Sequence, residues 1–204
     1  SSEAAKHYYL LNQSPAQSTG SSQGGPAAEG GIPVSINTVS LATSSQEVAL
    51  HDVTQLTQIG TGARCLRIGL TDEDGKPMAM FRQGDLAIFT TVYEVSNPAA
   101  VPIPGVLIKN DRGIIVHGKN SWQFDDCRLE GEGVPSRVWS RQEVRMDLAP
   151  GEYVFEVGLV TVSQDLWDRR SEVSHAEMAA QEYRLCHVPD AGVFSVAMRL
   201  DGHT

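Results

Sequence analysis

The fold class this sequence predicts is all-β: an antiparallel β-sandwich, jelly-roll or immunoglobulin-like, with one short inserted helix. Three observations carry that expectation. From Glu47 onward, apolar and polar residues alternate with a period of two. Clusters of Gly, Pro, Asn and Asp interrupt the alternation at short intervals, as tight turns between strands require. In that region only "SHAEMAAQE" reads as a helix, with Ser174 and Glu177 spaced for a capping box. Together these give about eight or nine short strands, the pattern of two packed sheets.

Ahead of the sandwich the composition differs. "EAAKHYYLLN" consists of good helix formers. The stretch that follows is rich in Gly, Ser, Pro and Gln and has almost no large apolar side chains, so it cannot offset its own ordering entropy. The expected organisation is a helical remnant of a preceding domain over 1–12, a flexible linker over 13–31 and the β-sandwich over 32–204. The chain reads as a piece of a longer protein.

Within the sandwich, "EVALHDVTQLTQI" is a first, irregular strand. "ARCLRIGLTDEDGKPMAMF" is a strand, a turn at Asp74-Gly75 and a returning strand. In "FRQGDLAIFTTVYEV" a Gly-Asp turn precedes a long strand, and "SNPAAVPIPG" interrupts with three prolines. "GVLIKNDRGIIVHG" is a hairpin turning at Asn110-Asp111-Arg112-Gly113. Two long strands joined by Ala149-Pro150-Gly151 follow. The chain then closes with "EYRLCHV", a turn at "PDAG", and "VFSVAMRL".

Composition excludes several classes of function. The 204 residues carry a formal net charge of -9, which argues against nucleic acid as a partner. No apolar run is long enough to span a membrane, and the N-terminus has no signal-peptide pattern. Cys65, Cys127 and Cys186 are far apart and odd in number, so they read as small buried residues of a reducing compartment.

Enzyme motifs are missing: the sequence has no P-loop, nucleophile elbow, zinc-protease helix or dinucleotide fingerprint. "TDEDG" lacks the later ligands of a calcium loop and reads as a hairpin turn. Asp125, Asp126, Cys127 and His117 match no standard metal spacing. Glu94, Glu143 and Glu156 are the carboxylates a glycosidase pair would draw on, but sequence does not bring two of them together. Neither catalytic activity nor a cofactor is expected.

Alternation does isolate one surface. In "RVWSRQEVRMDL", Val138, Val144, Met146 and Leu148 share one side, and Trp139, Arg141, Glu143, Arg145 and Asp147 share the other. In the preceding hairpin, Ile114 and Val116 fall opposite Ile115, His117 and Lys119. A face gathering Trp139, Arg141, Arg145, His117 and Lys119 suits a sugar, whose apolar C–H side lies on an aromatic ring while its rim of hydroxyls takes hydrogen bonds. The rival expectation is that a loop or a second subunit covers Trp139 and that the charges pair among themselves. Trp122 and Trp167 read as packing anchors.

"GIPVSINTVSLAT", "FRQGDLAIFTTVYEVSNP", "GVLIKNDRGIIVHGKNS" and "LAPGEYVFEVGLV" occur in this order. Over about residues 32 to 200 the chain thereby resembles the C-terminal domain of Wzt, the nucleotide-binding subunit of ABC transporters that export O-antigen polysaccharide. The resemblance implies a β-sandwich that recognises the modified terminus of the glycan. It also implies an ATP-binding domain ahead of the linker, a membrane subunit as partner, and a cytoplasmic location at the inner face of the bacterial inner membrane. A homodimer with an exchanged terminal strand, Val193–Leu200, is implied as well. "VHGKNS" takes the place of a Gly-x-Asn-Ser/Thr signature, with Gly118 and Asn120 architectural. The alternative function is a structural module that dimerises the transporter ATPase and has no glycan site.

Overall fold

The computed structural model describes residues 50–96, 101–122, 127–130 and 135–200. The expected helical remnant, the linker and the first part of the 32–204 domain lie outside these residues. Ten strands are described: β1 His51–Asp52, β2 Ala63–Thr71, β3 Met80–Arg82, β4 Leu86–Val95, β5 Val101–Asn110, β6 Ile115–Asn120, β7 Cys127–Glu130, β8 Ser136–Arg145, β9 Gly151–Val162 and β10 Tyr183–Ala197. They form two five-stranded sheets, β1-β2-β4-β8-β7 (sheet A) and β3-β10-β9-β5-β6 (sheet B). All pairs are antiparallel except β3 with β10. The sheets stack with β2 over β10 and β8 over β5. This is the expected all-β sandwich.

Period-two alternation explains the packing. In β4 the odd positions Ala87, Phe89, Tyr93 and Val95 enter the core, where each large side chain contributes roughly 1.5–3 kcal/mol. From β9, Tyr153, Phe155, Val157 and Leu159 meet them. Phe89 and Phe155 pack edge to face with centroids 5.1 Å apart, and Tyr153 stacks on Phe194 at 5.5 Å. Cys65 and Cys186 are buried free thiols, and burial pushes both pKa values up.

The turns use the residues expected of them. Gly113 is left-handed (φ 72), and the Asn110 side chain accepts from the backbone N–H of Arg112 and Ile114. Asp72 accepts from the backbone of Asp74 and Lys76 ahead of Gly75 (φ 80), so this carboxylate holds a turn. The predicted helix is α2, His175–Gln181, where the Ser174 side chain accepts from Glu177 N. A further helical turn, α1 (Gln164–Asp168), precedes it and is capped by Ser163.

Four sequence expectations change. The prolines do not break β5: Pro102 and Pro104 lie within it, on the stretch that β6 does not flank, so their missing N–H groups take no bond from a ladder. "PDAG" is a bulge inside one continuous strand, with Asp190 at φ 49 and both halves of β10 paired to β9. The segment returning from Asp74-Gly75 touches β2 at Pro77 and then crosses to sheet B as β3. Among the described residues the first strand covers His51–Asp52.

Candidate functional site

Along β8, Ser136, Val138, Ser140, Gln142 and Val144 are buried while Arg137, Trp139, Arg141, Glu143 and Arg145 lie on the outer side of sheet A. Trp139, Arg141 and Arg145 therefore share one face, as predicted, at strand spacings of roughly 7 Å per two residues. Trp139 is half-buried, its register partner on β4 is Val92, and its indole Nε1 is buried without a partner. Arg141 forms an ion pair with Glu143. Arg145 Nε lies 3.4 Å from Asp147, but both side chains are about 70% exposed, so the pair stabilises little.

His117 and Lys119 do not join that face. Their register partners on β5 are Ile108 and Val106, two core residues, so they point between the sheets. Lys119 Nζ donates to the Glu143 carbonyl oxygen at 2.7 Å. His117 has Nε2 buried without a partner; burial, then the Lys119 charge, pulls its pKa down. Sequence parity groups residues correctly here but does not say which group faces inward. On edge strand β6 the polar group is the inward one.

The three candidate glycosidase carboxylates are also separated. Glu94 is registered with Arg137, and Glu143 lies six positions further along β8, roughly 20 Å away. Glu156 is on the other sheet. No two of them have the spacing of a glycosidase pair. Among the described residues, no group of three His, Cys, Asp or Glu could hold a metal.

The outer face of sheet B carries a feature that sequence reasoning missed. Four cross-strand partners form one row: Asn120 on β6, Gly105 on β5, Gly158 on β9 and His187 on β10. Over the paired glycines the sheet has a narrow crevice of about 20 Å³, lined also by Ile103, Leu107, Glu156, Val160 and Arg184. Glu156 is only 5% exposed. It forms an ion pair with Lys109 and accepts at 3.3 Å from His187 when that nitrogen is protonated. Burial pushes the Glu156 pKa up, but the hydrogen bonds from His187 and Lys109 and the Lys109 charge outweigh burial and hold it below the usual value. The signal for this site in the sequence was a glycine in the middle of each of two apolar strands.

Trp122 and Trp167 meet edge to face at 5.8 Å beside Ile103, Val162 and Leu166, with Arg170 4.4 Å above the Trp167 ring. They are packing anchors for α1. A wider depression of about 420 Å³ lies beside the β1–β2 connection, lined by Gln58, Arg64 and Glu94 among others. The Gln58 amide there is committed to the backbone of Val53 and Cys65.

The family described as Wzt C-terminal domain matches residues 57–197, which take in β2 through β10. The chain belongs to the Wzt C-terminal domain family. Membership carries a role in an O-antigen ABC transporter. Among solved structures, the crystal structure of the C-terminal domain of Wzt is similar with a TM-score of 0.53 at 17% identity, covering 74% of this chain and 83% of that one. At that identity the likeness is one of fold. Weaker likenesses carry no argument. One is to the Pseudomonas fluorescens DNA glycosylase AlkC bound to DNA (TM-score 0.36, 15% identity, 67% of this chain and 31% of that one). Another is to a CARDB domain from Pyrococcus furiosus (TM-score 0.31, 10% identity, 72% and 100%). No curated protein sequence gives a match. Among the described residues of this Wzt-family domain, no helix is long and apolar enough to cross a membrane.

Proposed function

We propose that this Wzt-family domain is a non-catalytic module that binds the terminal end of a lipid-linked O-antigen polysaccharide for export. The observation that supports this reading most directly is Trp139. It is a half-buried tryptophan in mid-strand, its Nε1–H has no partner, and Arg141 and Arg145 follow on the same face. A pyranose ring lying on the exposed part of the indole would cover apolar surface, while the arginines suit a phosphate or acidic cap. An open site of this kind gives micromolar to millimolar affinity, roughly 4 to 8 kcal/mol.

In this reading the domain works at the cytoplasmic face of the inner membrane, beside an ATP-binding domain and a membrane subunit. It acts as a homodimer, so that two weak sites reinforce one another. Exchange of Val193–Leu200 between protomers draws support from the bulge between Val188 and Gly192, a ready hinge ahead of a segment with Val193, Met198 and Leu200 exposed. That same apolar segment favours the second reading, a purely structural dimerisation module.

Titration of tryptophan fluorescence with the strain's own polysaccharide, intact or lacking its terminus, tests the proposal. Binding that needs the terminus and is lost in Trp139→Ala, with the dimer intact, is the expected result. Dissociation of Trp139→Ala into monomers, with no glycan bound by the wild type, selects the structural reading.

A further inference from the structure

Glycine in a strand interior weakens the strand, and it is found there where a bulge, an unusual backbone angle or a close approach requires it. Among the described residues, neither backbone angle nor ladder register requires the pair Gly105 and Gly158. Neither has a positive φ. The β5–β9 ladder runs through both without a register shift. A Cβ on Gly158 would come no nearer than 3.5 Å to any other atom, the Cys186 carbonyl oxygen, which is ordinary contact. The glycines are directly paired, so two missing side chains open one gap in the outer face of sheet B.

The groups around the gap define what could enter it. Its volume of about 20 Å³ holds roughly one water-sized group, so a sugar ring stays outside and only a single substituent goes in. At its side the nine-tenths-buried Glu156 carboxylate is bonded to Lys109 and His187 through one oxygen each, leaving acceptor capacity on both oxygens. Next to Gly105 in the row, on the same face, Asn120 has its side-chain oxygen buried without a partner. The unmet capacity is for accepting hydrogen bonds, and an anion cannot supply a donor. A neutral hydroxyl can.

We infer that the crevice over Gly105 and Gly158 is a second carbohydrate contact, distinct from the Trp139 face, which admits one hydroxyl-bearing arm of a sugar. A hydroxymethyl group fits best, because its carbon passes the apolar rim of Leu107 and Val160 while its O–H donates to Glu156. The inference rests on the reading of the domain as a glycan binder but not on the site proposed above.

The test uses backbone amide NMR of the whole chain, titrated to millimolar concentrations with a methyl hexopyranoside and with its 6-deoxy counterpart. The expected result is that amides of Gly105, Gly158 and His187 shift with the first sugar and not with the second. Gly158→Ala, which fills the gap without a clash, should abolish those shifts and leave the melting temperature within error of the wild type. Equal shifts with the 6-deoxy sugar, shifts retained in Gly158→Ala, or no shifts with either sugar would each overturn the inference, and the last assigns the crevice to a structural water. Shifts confined to Trp139 and its neighbours sink the crevice and leave the proposed function standing. Shifts in sheet B with none at Trp139 do the reverse for the site proposed there.

Discussion

Lys119 on edge strand β6 donates its ammonium to the main-chain carbonyl oxygen of Glu143 on β8, at 2.7 Å, and so ties the rim of sheet B to the body of sheet A. The bond also draws charge into the gap between the sheets, next to a histidine whose neutral form the surroundings favour. A residue with the composition of a ligand contact is thus engaged in holding the sandwich closed.

Lys119→Met keeps the aliphatic stem and removes the charged donor. It should lower stability by about 1.5–3 kcal/mol, the range for a hydrogen bond to a charged group. Urea denaturation measures this. Glycan affinity should be unchanged, and a loss of affinity at full stability would return Lys119 to the binding site.

At Trp139 the indole N–H is buried and unpartnered within the chain. Trp139→Phe removes that unmet donor along with some packing, so its net cost should stay within about 1 kcal/mol. If the indole is the stacking platform, its smaller replacement lowers affinity about tenfold while the fold holds. Equal affinity of Trp139→Phe and wild type would mean that no sugar lies on the indole.

Glu156 has its pKa lowered in the folded protein, so the folded state holds fewer protons than the unfolded one near its titration. Its contribution is present above the unfolded value, near 4.5, and disappears as pH falls through the lower folded value. Glu156→Gln should cost about 1–3 kcal/mol at neutral pH and flatten the loss of stability in acid, as seen in melting curves from pH 7 downward. An unaltered acid profile would show that the ion pair with Lys109 is not stabilising.

Glu182, at the C-terminal cap of α2, behaves in the opposite sense. Burial pushes its pKa up to about 7, only partly countered by Arg184. The folded state then holds the extra proton, and stability declines as pH rises from about 4.5 toward 7. Glu182→Gln should be more stable than the wild type by about 1–3 kcal/mol at pH 8 and equal to it at pH 4. A constant difference across that range would locate the effect elsewhere.

Gly192 provides the contrast to Gly158. A Cβ there would sit 2.5 Å from the Phe155 ring, a core side chain without room to retreat. Gly192→Ala should destabilise by about 1–3 kcal/mol. A neutral result would show that the ring can shift.

How far the sequence could be read depended on which physical rule was at work. Alternation identified the two sides of β8 because Val138 and Val144 have to be buried together, and the Asn110 to Gly113 turn is written in local chemistry. Local chemistry misled where tertiary context decides. Pro-Asp-Ala-Gly is good turn material, yet β9 pairs on both sides of it and makes it a bulge. His117 and Lys119 look like surface groups until the register against Ile108 and Val106 turns them inward. Gly105 and Gly158 stand out only once they are known to be neighbours, and a pairing across 53 positions of chain (158 minus 105) leaves no trace in either strand alone.

The parallel pair between β3 and β10 has a consequence for the timing of folding. β10 is the last of the ten strands to leave the ribosome, yet it lies second from the edge of its sheet, between β3 and β9. Until Tyr183–Ala197 emerges, β9 presents an unpaired edge along its whole length and β3 has no sheet to join, although both were synthesised earlier. Sheet A has no such dependence. During synthesis the nascent chain can complete one layer of the sandwich while the other waits, with Tyr153 and Phe155 lacking the Phe194 ring that packs on them, which is the interval in which it would depend most on chaperones.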